Sequence, residues 1–196
     1  MVLKYFVLGF FVKIITGFDD TITHIPLLSA VTKTRMGRIA FSIGSLLAII
    51  CAIIVAFFFA SLIRDFAFAR FITGFLIFGL AAFLYFDGFF TVPREKVEKK
   101  LVKFERISTK RFTKLLIFGF FASLITVIDD VIAYAPLFLS SSISSIGAIV
   151  GILLASLIEI YLVIMFSKKI MHIPYKVEIA VAGLVLLGIG TITGII

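Results

Sequence analysis

The sequence predicts an all-α integral membrane protein: six transmembrane helices arranged as two inverted three-helix repeats. Three observations carry this expectation. Of 196 residues, 62% are hydrophobic and only 15% charged, with a mean hydropathy of +1.23. A soluble domain has about 45–50% apolar and about 25% charged residues. Next comes an internal repeat: Gly9–Leu28, GFFVKIITGFDDTITHIPLL, returns 110 residues later as Gly119–Phe138, GFFASLITVIDDVIAYAPLF, with 10 identities in 20 ungapped positions. The third is the placement of basic residues, which cluster in the connections between apolar runs.

A helical span needs about 20 mostly apolar residues. Six runs qualify: Tyr5–Leu28, Ile39–Ile63, Phe71–Phe90, Leu115–Leu139, Ile146–Phe166 and Val177–Ile196. Runs of this length in hydrocarbon are helices, because no water is present to satisfy the backbone. The first run is interrupted by Lys13 and an Asp pair, with no small-residue cleavage site after it. It is therefore read as a retained span rather than a signal peptide. In each repeat copy a proline follows the second aspartate by six residues, Pro26 after Asp20 and Pro136 after Asp130. A helical proline removes one donor and clashes with the carbonyl four residues back, so helices 1 and 4 are expected to be kinked or broken beside their aspartates. Spans 3 and 6 carry glycine pairs, Gly74/Gly79 and Gly183/Gly188, expected to let helices approach closely.

The connections 29–38, 91–114 and 167–176 hold 15 of the 19 lysines and arginines; Lys4, Arg64 and Arg70 lie on the other side, and Lys13 lies within a span. The positive-inside rule then puts the basic loops in the cytoplasm and both termini outside a cell membrane. Three spans per half is odd, so the second half enters the bilayer upside down. Residues 1–90 form the first repeat, 91–114 a basic connection and 115–196 the second repeat. Within 91–114, Pro93, the Glu95–Lys99 pair and a partial apolar stripe suggest a helix on the inner leaflet. The net charge of +8 is explained by this topology, so no nucleic-acid partner is expected; the lipid bilayer is the surrounding, and a homodimer is compatible with the pattern.

Intramembrane acids are expensive and functional by default. Inverted repeats place their site near midplane where the halves meet, so Asp19, Asp20, Asp129 and Asp130 are expected to form one pocket. Carbonyls freed near Pro26 and Pro136, and the hydroxyls of Thr16, Thr21, Thr23 and Thr126, would add oxygen ligands. Such a set suits Mg²⁺, Ca²⁺ or Mn²⁺, and one imidazole, His24, tilts it toward Mn²⁺, Zn²⁺ or Cd²⁺. Empty, four carboxylates repel, which makes exchange of metal for protons the natural mechanism. The alternative is that these acids only brace neighbouring helices. Tyr134 stands in the second copy where His24 stands in the first. Lys13 either neutralises the empty site or snorkels to the outer surface, the latter favoured. Glu159, alone near the middle of span 5, is a further ligand or a proton carrier. Asp87 and Glu178 are read as interfacial.

At Phe18-Asp19-Asp20 with Ile25-Pro26-Leu27-Leu28, and Ile128-Asp129-Asp130 with Tyr134-Ala135-Pro136-Leu137-Phe138, the chain resembles the LysE superfamily of small membrane exporters, most closely the cadmium resistance transporter (CadD) family. The resemblance implies export of a divalent metal, with the acids of spans 1 and 4 as ligands. No thiolate lies near the motif, so ligand softness does not single out cadmium. The related thiol-disulfide reductases need a cysteine in each half, and Cys51 is alone. Amino-acid exporters share the architecture and remain the main alternative, with Lys13 the one anchor for a substrate carboxylate. An intramembrane aspartyl protease is a minor alternative, since neither Asp pair carries a Gly-x-Gly-Asp signature. The chain is therefore not expected to be an enzyme and needs no organic cofactor.

Overall fold

A computed structural model describes residues 2–31, 35–87, 111–139, 142–170 and 176–195, and within them there are seven helices and no strand. These are α1 Val2–Val31, α2 Arg35–Ile63, α3 Ala69–Asp87, α4 Arg111–Thr126, α5 Ile128–Phe138, α6 Ser142–Ile170 and α7 Lys176–Ile192. Among the described residues three stretches, Gly37–Ile63, Ala69–Phe86 and Ile143–Met165, are long and apolar enough to cross a membrane. The amphipathic pattern of the basic connection falls at 91–110, outside the described residues.

On α2, size sorts the apolar side chains. Ala48, Ala52, Ala56 and Ala60 recur every fourth residue of α2 and are all buried, whereas Ile54, Phe57, Phe58 and Leu62 of the same helix face outward. Water would drive the large apolar groups inward. Lipid does not, and helices then associate where small residues let their backbones meet. Three buried hydroxyls are absorbed locally: Thr73 Oγ1 donates to the Ala69 carbonyl at 3.0 Å, Ser156 Oγ to Ile152 at 2.8 Å and Thr191 Oγ1 to Leu187 at 2.8 Å. This back-bonding keeps the hydroxyls satisfied without a partner helix.

The helices pair through glycines. α1 runs parallel to α6: Gly147 meets the Val2 backbone, Gly151 the Phe6 carbonyl, Gly9 the Ala148 carbonyl, and Gly17 the Glu159 carboxylate. α2 runs parallel to α4 in the same manner, with Gly119 against Phe41 and Gly44 against the Leu116 carbonyl. Ser123 Oγ donates to Ser45 Oγ at 2.7 Å across that second pair. α7 is antiparallel to α3, with Gly74 on Ile192 and Gly188 on Phe78, and to α1, with Gly183 on Ile15. Gly79, expected at a helix contact, has nothing near its α-carbon face and is exposed.

One end of the bundle gathers Lys4, whose Nζ donates to the Ile195 carbonyl at 2.6 Å, and Arg64, whose guanidinium donates to the Phe138 carbonyl at 3.0 Å. There α7 stops at Gly194, φ +74°, where the Ile195 amide bonds the Gly190 carbonyl at 2.9 Å and the Gly194 amide bonds Thr191 at 3.2 Å. That paired closure requires a left-handed residue, hence the glycine.

The expected breaks fall elsewhere. α1 continues through Pro26 to Val31, so helix 1 is not broken there. Pro136 lies inside α5, two residues before its end, where few downstream hydrogen bonds depend on the turn it disturbs. The second copy is interrupted instead at Val127, φ −88° and ψ 7°, directly before Ile128-Asp129-Asp130. The Val127 amide still reaches the Ser123 carbonyl at 2.9 Å, so the chain bends without losing that bond.

Candidate functional site

Lys13 lies in α1, one turn before Gly17, and both face α6. The lysine does not snorkel. It is 1% exposed, and its ammonium is 2.9 Å from Asp130 Oδ2 and 3.3 Å from a Glu159 carboxylate oxygen. The reason is local: two carboxylates from other helices lie within ion-pair distance of the ammonium, and a buried charge is tolerated where it is paired. Glu159 reaches the lysine because Gly17 has no side chain. A Cβ on Gly17 would stand 2.5 Å from Glu159 Oε2.

Asp130 comes from the first turn of α5, just past the Val127 interruption. Its side chain is buried, and Oδ2 receives two donors, the Lys13 ammonium at 2.9 Å and the Tyr134 hydroxyl at 2.8 Å. Tyr134 is one helical turn after Asp130 and fully buried. Their i,i+4 spacing on a regular helix places hydroxyl and carboxylate side by side. Thr16 Oγ1, also buried, turns back to the Lys13 carbonyl at 3.3 Å. The result is a positive group enclosed by acids from α5 and α6, in surroundings where neither sign is tolerated alone.

Of the residues singled out by sequence, the fold thus joins Lys13, Asp130, Tyr134 and Glu159, with Thr16 beside them. Pro136 is buried two residues after Tyr134 on α5. The side chains of Asp19, Asp20, Thr21, Thr23, His24, Pro26, Thr126, Asp129 and Asp87 lie outside the described set. Among the described residues there is no group of three His, Cys, Asp or Glu able to hold a metal. Gly17 was not anticipated as a site residue. Its signal was available in the repeat: where α1 and α6 carry Lys13, Gly17 and Glu159, the matching positions are Ser123, Val127 and Ile49. All three polar or small features change together. The Ser45–Ser123 bond occupies the corresponding place between α2 and α4 and was likewise unforeseen.

No protein-family model, curated protein or solved structure matches the chain.

Proposed function

We propose that this chain is a membrane transporter for a divalent cation, built from six spans in two inverted repeats. The observation that carries the reading is the buried Lys13 ammonium between Asp130 and Glu159: the protein already keeps a positive charge where its acids converge. The pairing of helices supports the repeat. The α1–α6 contact through Gly9 and the α2–α4 contact through Gly119 exchange places when the two copies are swapped. The helix directions support the same plan, since the starts of α1, α3 and α6 share one end of the bundle. Asp20 and Asp130 are the repeat-related acids assigned to the ion, with Asp19, Asp129 and His24 beside them in sequence. Outward direction and exchange with protons come from the CadD-like motifs and from the repulsion of an empty acidic site.

The test is thermal stabilisation of the purified full chain in detergent by Mg²⁺, Ca²⁺, Mn²⁺, Zn²⁺ and Cd²⁺. At least one is expected to stabilise it, and Asp20→Asn and Asp130→Asn are each expected to weaken that effect. Stabilisation by none of them overturns the reading. The burial of Lys13 also favours a second reading, an amino-acid exporter in which the lysine holds a substrate carboxylate. Stabilisation by free amino acids, abolished by Lys13→Met, would select it.

A further inference from the structure

Resting on the cation reading above, we propose that Lys13 is a tethered competitor for the transported ion: an arriving divalent cation takes Asp130 and displaces the lysine ammonium, which stays with Glu159. Three features carry this. The ammonium touches both acids at once, 2.9 Å from Asp130 and 3.3 Å from Glu159, so it need not cross apolar space to leave one for the other. Lys13 and Glu159 sit on α1 and α6, whose backbones meet at Gly9 and Gly151, so that pair belongs to one unit. Asp130 sits on α5, and the Lys13–Asp130 bond joins that unit to another. Finally, Asp130 retains a neutral donor, the Tyr134 hydroxyl at 2.8 Å, so its orientation survives the departure of the lysine. Gly17 keeps open the space in which the Glu159 carboxylate meets the ammonium.

The displacement makes two charge-specific expectations. Removing the lysine frees the site for the ion. Removing Glu159 strands the lysine on Asp130 and closes it. A ligand role for Glu159 predicts something else, a loss that persists without the lysine. Mn²⁺ titration of the full chain in detergent, read by calorimetry, separates these with four proteins: wild type, Lys13→Met, Glu159→Gln and the double variant. The expected results are Mn²⁺ binding tightened about tenfold by Lys13→Met, within the usual range of coupling between sites. Glu159→Gln should weaken binding in the wild type and leave it unchanged in the Lys13→Met background. If Lys13→Met does not fold, the double variant, which loses one charge of each sign, is compared with Glu159→Gln alone, and tighter binding by the double variant supports the proposal. Equal affinity with and without Lys13 overturns the proposal while leaving the transport reading intact. Equal weakening by Glu159→Gln in both backgrounds makes Glu159 a ligand and overturns the displacement. If all four proteins fail to bind any of Mg²⁺, Ca²⁺, Mn²⁺, Zn²⁺ and Cd²⁺, the transport reading falls and this proposal with it.

Discussion

At the scale of single residues, three buried polar contacts differ in what their loss should do. Lys13→Met leaves two acids without their counter-charge, and breaking a buried pair costs about 3–5 kcal/mol. Tyr134→Phe removes one of two donors to Asp130 Oδ2, a bond to a charged acceptor worth roughly 1.5–3 kcal/mol. Ser123→Ala removes a neutral hydroxyl pair, and such bonds in membrane helices average about 0.6 kcal/mol. The expected order of destabilisation is therefore Lys13→Met, then Tyr134→Phe, then Ser123→Ala, read as thermal unfolding of the purified protein without added metal. A Ser123→Ala variant less stable than Lys13→Met would show that the ion pair contributes nothing net. Part of this buried cluster is legible in the sequence. Asp130 and Glu159 stand out as acids in hydrocarbon, and Tyr134 is one turn from Asp130. The fate of Lys13 was not, because its partner Asp130 is 117 residues away. Along the chain the lysine had two destinations, the acidic site begun by Asp19 and Asp20 six and seven residues on and the outer surface, and the surface was the one favoured.

Helices pose a different question, namely how close two backbones come. Gly151 of α6 faces the Phe6 carbonyl and the Phe10 amide nitrogen of α1, the nitrogen 2.9 Å from where a Cβ would stand. Both neighbours are backbone, so neither can turn aside, and Gly151→Ala has to push the helices apart. Overpacking of this kind costs about 1–3 kcal/mol. Gly79 of α3 has nothing within 4 Å of its Cβ position. There the same change gains helix propensity of up to about 1 kcal/mol. Unfolding temperatures should fall for Gly151→Ala and hold or rise for Gly79→Ala; a fall for both would mean that glycine spacing says nothing about contact here. Glycine pairs in sequence announced close approach for Gly74, Gly183 and Gly188, yet not that Gly79 would be left exposed. The interruption at Val127 was hidden for a related reason. Proline is the strong local breaker, and each repeat proline sits near the end of its helix, where its effect is small. The bend falls instead where Val127 replaces the glycine of the other copy.

For the whole molecule, the order of apolar runs and the distribution of lysine and arginine carry the predicted topology, which labelling from either side of the membrane tests. In a Cys51→Ser background, Phe68→Cys should react with an impermeant thiol reagent from outside intact cells, and Lys100→Cys only after the membrane is opened. Reaction of both from the same side would end the six-span topology. The helix pairing has a mechanical corollary. Glycine contacts fasten α1 to α6 and α2 to α4 along their backbones, as stiff couples that resist sliding. The Lys13–Asp130 bond is the charged link from the α1–α6 couple to α5, which follows α4. In the transport reading proposed above, rocking of one couple against the other would have to open that latch, and whatever neutralises Asp130 in the lysine's stead would set when the couples are free to turn.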